Sequence, residues 1–291
     1  MKKRTITLIA GPTASGKSDL ALRWARQNSG VIINADSMQV YSLLPVLTAQ
    51  PSADDMALVP HYLYGHVAPT CTYSVGRWLV DVAACLDKIS DRPIIFVGGT
   101  GLYFQALLGG FAQIPSVPLH IRETCRQDLN HLGAMALYRR LQEVDSVWAA
   151  KISPQDGQRI LRGLEVYIAT GKSLSFWQQQ KSPPLLARHH VEKILLIPER
   201  KFLYERINER FKKMVMMGAL EEAAAFQALG VAADRPAAKA IGLPELLAHL
   251  SGASSLQEAL EQGQQQTRRY AKRQMTWFRH QMDKTWEIIS S

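Results

Sequence analysis

Cysteine is scarce in this sequence: three residues in 291, at positions 71, 85 and 125. No C-x-x-C pair occurs, which removes the zinc-finger and disulfide-scaffold classes and leaves three reduced thiols in a cytosolic protein as the expectation. The eight histidines include His61, His66 and the adjacent His189 and His190, yet none fall in an H-x-x-x-H spacing. A histidine-based metal site is therefore not expected. No apolar run approaches the ~20 residues of a membrane span. The opening Met1-Lys2-Lys3-Arg4 is basic like the start of an export signal, but the apolar stretch behind it, residues 6–10, runs straight into a glycine-rich loop. That stretch is too short for export. Internal repeats and low-complexity tracts are missing as well. An apolar share of 47% against 20% charged excludes disorder and is enough for a sizeable core.

Charge is present in excess of one sign, at a net +9, and it is unevenly placed. Residues 1–115 carry nine basic and seven acidic side chains, whereas residues 116–291 carry 25 and 18. A basic C-terminal part points to a polyanionic partner.

The first third alternates strand and helix. Residues 5–10 and 31–34 read as short strands, 78–89 as a helix and 93–97 as another apolar strand. Continuously apolar strands separated by helices predict a parallel sheet buried on both faces. Residues 116–189 change character, with helical periods and many Arg and Gln. Their best helix is expected to begin at Ser153-Pro154-Gln155-Asp156, with Ser as cap and Asp completing a capping box, and to end at Gly171. Ile160, Leu161, Leu164, Tyr167 and Ile168 would form its inner face, with Gln158, Arg159 and Arg162 pointing away. Residues 193–197 return to a strand that could rejoin the first sheet. The expected fold class is α/β, doubly wound: a P-loop NTPase-like parallel sheet core (1–115 and 190–291) flanked by helices, with a helical insertion (116–189).

Gly11-Pro12-Thr13-Ala14-Ser15-Gly16-Lys17-Ser18 matches G-x-x-x-x-G-K-S/T between a strand and a helix. Small residues let backbone N–H groups surround phosphate oxygens, and the helix N-terminus adds positive potential. Lys17 supplies a point charge and Ser18 a ligand for Mg²⁺. A phosphotransfer enzyme normally ends a further apolar strand in an Asp, but Ile94-Ile95-Phe96-Val97-Gly98-Gly99-Thr100 contains no acid. The strand-terminal acid of this region is Asp36, followed by Ser37, Met38 and Gln39. From position alone Asp36 could be a metal ligand, a general base or the cap of a turn. The Gly98–Gly99–Thr100–Gly101 turn either admits a ligand at the sheet edge, with Thr100 nearest to it, or simply reverses the chain.

Glu209-Arg210-Phe211-Lys212-Lys213 falls on a predicted helix and, taken alone, reads as a solvated charged face. In the tail, Arg268, Lys272 and Arg279 share one helical stripe, with Arg269 and Arg273 beside it. Tyr270, Ala271, Trp277 and Phe278 take the other side. Phosphate-backbone binding, a plain solvated face and a membrane-surface helix are the three readings, in that order of preference.

In order along nearly the whole chain, these motifs resemble the bacterial tRNA dimethylallyltransferase (isopentenyltransferase) family. The similarity also takes in Leu141-Gln142-Glu143-Val144-Asp145, Asp156-Gly157-Gln158-Arg159, Arg162-Gly163-Leu164-Glu165 and residues 270–277. The resemblance implies that the 11–18 loop holds the diphosphate of dimethylallyl diphosphate, with Mg²⁺ at Ser18. It implies transfer of the five-carbon group to N6 of the adenosine 3′ to the anticodon, in tRNAs reading codons that begin with U. Asp36 would take the N6 proton, Lys17 and Arg210 would neutralise the leaving diphosphate, and Thr100 would complete the catalytic set. Ser37, Met38 and Gln39 would hold the base. Arg122, Gln158, Arg159, Ile160, Leu161, Arg162, Lys239, Arg268 and Lys272 would contact the tRNA anticodon stem-loop. The protein would act as a monomer in the cytoplasm, with no membrane. Two segments depart from the family pattern. Gly-Thr-Ala-Lys-Pro is Leu47-Thr48-Ala49-Gln50-Pro51 here, and Arg-x-x-Gly-Tyr-Arg is Lys239-Ala240-Ile241-Gly242-Leu243-Pro244.

Overall fold

The computed structural model describes residues 4–290. Six strands, β1 (Thr5–Ala10), β2 (Val31–Asn34), β3 (His61–Tyr62), β4 (Ile94–Gly98), β5 (His190–Leu196) and β6 (Glu287–Ile289), form one sheet in the order β3-β2-β4-β1-β5-β6. All neighbours are parallel. β2 and β4 are buried along their whole length and β1 everywhere but Thr5, as their unbroken apolar runs require of a sheet covered on both sides. The strand expected at 193–197 does rejoin this sheet, as β5 beside β1.

The chain divides into two compact units, residues 1–106 with 185–291, and residues 107–184. In the first unit, helix Lys17–Gln27 packs Ala21 and Ala25 onto Ile9, Ile32, Ile95, Val97 and Leu196. Helix Val75–Lys88 buries Trp78, whose ring stacks on Tyr103 at 4.1 Å and whose Nε1 donates to the Asn34 carbonyl at 2.9 Å. That bond fixes the C-terminal end of β2. Helices Arg200–Met214 and Leu256–Gln281 meet through Leu203, Ile207, Ala271 and Met275, with Ala14 of the 11–18 loop packed against them. A second core joins Val40, Tyr41, Leu44 and Leu47 to Phe211, Ala240, Leu243 and Leu246.

The unit spanning 107–184 is helical, built on Leu119–Val144, Ser146–Ala149, Gly157–Thr170 and Leu174–Gln179. Its long first helix breaks at Gly133 (φ 78°). Asp145 is buried and accepts from the Trp148 N–H at 3.0 Å and the Ser175 N–H at 2.8 Å, so one carboxylate caps helix Ser146–Ala149 and anchors helix Leu174–Gln179. Two details differ from the sequence expectation. The helix cap is Asp156 and not Ser153, because the Asp156 carboxylate accepts from Arg159 N–H at 3.1 Å and Ser153 belongs to the preceding turn. The inner face is rotated: Tyr167 and Ile168 are 37% and 57% exposed, while Gly163 and Val166 face inward. Gly163 sets this rotation, since a side chain there would run into Leu141 and Trp148. Gly171 ends the helix in the left-handed region, φ 66°, as expected.

Candidate active site

The loops leaving β1, β2 and β4 all emerge at the C-terminal edge of the sheet, where open α/β sheets bind ligands. Residues 11–18 wrap the start of helix Lys17–Gln27. Gly16 sits at φ 86° as the N-cap and provides no side-chain partner, so the first-turn N–H groups remain available to an anion. Ala14 is held at φ 63°, a strained conformation for a residue with a Cβ, and the loop keeps it because Ala14 packs under the helix pair. Ser15 Oγ is buried without a partner. Lys17 Nζ donates to the Pro12 carbonyl at 3.1 Å. Burial pushes the Lys17 pKa down to about 8, with nearby Arg210 adding to the shift and Asp36 opposing it.

A cavity of about 880 Å³ opens over this loop, lined by Thr13–Ser18 together with Asp36, Met38, Gln39, Arg210 and Tyr270. Arg210 is the clearest correction to the reading of its segment as a solvated face. Glu209, Lys212 and Lys213 are exposed, the first two as an ion pair at 3.0 Å. The Arg210 guanidinium turns into the cavity and donates to Thr13 Oγ1, while Phe211 is core. Burial lowers the Arg210 pKa and the charge of Asp36 opposes the shift.

Asp36 follows β2 and is held by its neighbours. Its N–H donates to Asn34 Oδ1 at 2.8 Å, and its Oδ1 accepts from the Met38 N–H at 2.9 Å. Asp36 thus does cap a turn, through one oxygen. The other, Oδ2, lies beside Gly99, where a Cβ would come within 3.3 Å of it. Burial raises the pKa of Tyr64, Tyr103 and Tyr270, and the charge of Asp36 adds to each shift, so these phenols stay neutral.

The glycines after β4 serve the protein's own packing. A Cβ at Gly98 would overlap the Ala35 carbonyl, and one at Gly101 would overlap the Trp277 ring. Thr100 Oγ1 accepts from Ser37 N–H at 2.9 Å and donates to Ser37 Oγ at 3.2 Å. Thr100 and Ser37 therefore hold the Asp36 turn and lie outside the cavity lining, whereas Met38 and Gln39 line it. The Gln39 amide donates to the carbonyls of Thr48 (2.9 Å) and Ala49 (2.6 Å). Gln50 donates to the Tyr41 carbonyl at 2.8 Å and so braces the same loop.

Among the described residues no group of three or more His, Cys, Asp or Glu gathers. The donor set available to a divalent ion is the exposed Ser18 hydroxyl and cavity carboxylates such as Asp36. This suits Mg²⁺, which takes one or two protein ligands and completes its shell with phosphate oxygens and water.

Residues 39–281 match the IPP transferase family and residues 4–63 the isopentenyl transferase family. The chain belongs to the IPP transferase family. It is 58% identical over 290 residues to a tRNA dimethylallyltransferase of Bartonella tribocorum, covering all of both chains. It is 49% identical over 285 residues to one of Rhizobium etli, covering 97% of this chain and 96% of that one. Among solved structures, it superposes on a tRNA isopentenylpyrophosphate transferase of Bacillus halodurans with a TM-score of 0.69 at 32% identity, covering 99% of this chain and 90% of the other. A eukaryotic dimethylallyltransferase acting on tRNA gives 0.83 at 26% identity, covering 99% and 74%.

The remaining family positions are placed as follows. In the helical unit Gln158 and Arg159 are exposed, and Arg159 pairs with Asp156 at 3.3 Å. Ile160 is fully buried and Leu161 packs beside it, so these two side chains form core and not contact surface. Arg162 is half-buried, and burial lowers its pKa against the pull of Glu165, with Arg122 adding to the shift. Arg122 Nε is buried without a partner. In the sheet unit Lys239 is exposed, and Leu243 is fully buried in the core. Arg268 bonds to Asn208 Oδ1, which takes it off the free stripe. Lys272 remains exposed, in a hollow with Arg269, Arg273 and the edge of Trp277. The sequence reading gave no role to Gln274 or Arg206 and placed Tyr270 only on the docked side of its helix, yet all three lie at or beside the cavity. Gln274 alone carried a signal, as a polar residue on the buried side of an amphipathic helix.

Proposed function

We propose that this protein is a prenyl transferase that moves the dimethylallyl group of dimethylallyl diphosphate onto N6 of the adenosine 3′ to the anticodon, in tRNAs reading codons that begin with U. The observation that carries the reading is one cavity in which an open anion-binding loop, Lys17 and Arg210 stand with a carboxylate held on one oxygen only. Adenine's amine is a weak nucleophile, so the reaction needs a leaving group that departs readily and an acceptor for the displaced proton. The first-turn N–H groups, Lys17 and Arg210 neutralise charge growing on the departing diphosphate. Asp36 Oδ2 takes the N6 proton as the carbon–nitrogen bond forms. Ser18 would hold a Mg²⁺ ion, which when bound would add to the charge neutralisation of the diphosphate.

The target base leaves its stack to enter the cavity, where Met38 and Gln39 contact it. Thr100 and Ser37 act from behind, by fixing the Asp36 turn. Gln158, Arg159, Arg162 and Arg122 of the helical unit and Lys272 and Lys239 of the sheet unit grip the anticodon stem-loop, while Arg268, engaged by Asn208, is left a supporting part. The enzyme works as a monomer in the cytoplasm, where its RNA substrate resides. Incubation with unmodified tRNA and dimethylallyl diphosphate, followed by mass analysis of digested nucleosides, tests this directly. Adenosine heavier by one dimethylallyl group is expected from tRNA and none from AMP. Unmodified tRNA, or a prenylated AMP, overturns the reading.

A further inference from the structure

We infer that Gln274 is a positioning residue that sets the spacing between the leaving-group site and the proton-accepting carboxylate; the inference rests on the transferase reading above. Gln274 lies on the inner face of helix Leu256–Gln281 and is only 6% exposed. Both ends of its amide are engaged. Oε1 accepts from the Thr13 N–H at 2.9 Å, and Nε2 donates to the Gly99 carbonyl at 2.9 Å. One planar group therefore spans the first and second glycine-rich turns.

Each end leads on to chemistry. Thr13 is the residue whose hydroxyl receives the Arg210 guanidinium, so fixing its backbone fixes where Arg210 meets the diphosphate. Gly99 is flanked by Thr100, which bonds to Ser37, and it sits against Asp36 Oδ2. A side chain at Gly99 would collide with Nε2 of Gln274 itself. The glycine thus admits the amide, and the amide holds the turn behind the carboxylate. A displacement of about 1 Å between such groups is enough to lower a rate by roughly a hundredfold.

An apolar side chain of the same length, Gln274→Met, removes both bonds and leaves the shape. The expected result is a kcat lower by about 10–100-fold and a raised KM for dimethylallyl diphosphate, with tRNA affinity within twofold of wild type. Thr13→Ala reproduces part of the KM effect, and the double variant falls short of the product of the two single effects, because both act on Arg210. Independent multiplication of the two effects, or a variant that loses thermal stability while kcat and KM per folded molecule stay unchanged, overturns the inference.

If Gln274→Met does not fold, Gln274→Glu decides. A protonated glutamic acid can accept from Thr13 and donate to the Gly99 carbonyl, whereas its carboxylate can only accept. The ratio of Gln274→Glu to wild-type kcat should therefore climb as pH falls. Asp36, Lys17 and Arg210 line the neighbouring cavity in both proteins, and the wild-type rate at each pH is the reference for the ratio. A ratio that does not change with pH overturns the proposal. Wild-type protein that prenylates no tRNA would instead remove the underlying transferase reading, so the two failures are distinguishable.

Discussion

The turns after β1 and β4 leave adjacent strands, run from strand into helix, and are built from the same small residues. Gly16 of the first and Gly98 and Gly101 of the second serve opposite ends, while Gly11 is itself packed against Ser15 and Leu196. At Gly16 the nearest atom to an added Cβ is Arg206 Nη1, 3.8 Å away, so the space over the first turn stays open for an anion. At Gly98 and Gly101 the space is already filled by Ala35 and Trp277. The first turn faces a ligand and the second faces the protein, where it holds the Asp36 turn through Thr100. A glycine-rich sequence between strand and helix therefore does not by itself mark a binding site.

The largest expected effect concerns the group that the second turn supports. Asp36→Ala should lower turnover by about 10²–10⁴-fold, the range for a general base, while tRNA affinity measured by filter binding is kept. Unchanged turnover would leave the second turn supporting nothing chemical. Next, Gly98→Ala should destabilise the fold by about 3 kcal/mol or more, because the new methyl meets backbone that cannot yield. Gly16→Ala, with φ 86° but open space, should cost about 1–2 kcal/mol in denaturant unfolding. Equal losses at the two positions would erase the contrast.

The third test is of charge at the open turn. With its pKa near 8, Lys17 is partly neutral in the free protein above that pH and becomes fully protonated against a diphosphate. Diphosphate affinity should therefore fall about tenfold per pH unit above 8 relative to Lys17→Arg, which does not titrate there. Calorimetry in buffers of different ionisation enthalpy should show proton uptake on binding at pH 8 in wild type beyond that of the arginine variant. The smallest effect is expected from Lys272→Glu, which should reduce the salt slope of tRNA binding by about one; an unchanged slope would make that face merely solvated.

Much of this arrangement was legible in the chain. The four inner strands and the 11–18 loop are local patterns, and they fell where apolar runs and small residues placed them. Taken alone, the Arg210 segment reads as solvated because its surroundings come from Thr13, 197 residues away in sequence, and it was the family resemblance that pointed Arg210 at the diphosphate. Gln274 went unassigned for the same reason, since its partners lie 261 and 175 residues off. The helix cap at Asp156 and the inward turn of Gly163 were missed because capping patterns overlap and because a glycine carries no hydropathy signal for close packing. Asp36 remained three-way from position alone, and only the bonds on its Oδ1 separate the turn-capping oxygen from the free one.

The place of β1 in the sheet bears on how the chain matures. This strand carries the anion-binding loop, and its neighbours are β4 and β5, the latter contributed only after residues 107–184. Thr7 meets Glu192 across 185 residues of sequence. During synthesis the loop's strand therefore waits, half-paired, until nearly two thirds of the polypeptide has left the ribosome, while the helical unit, whose contacts are local, can condense on its own first.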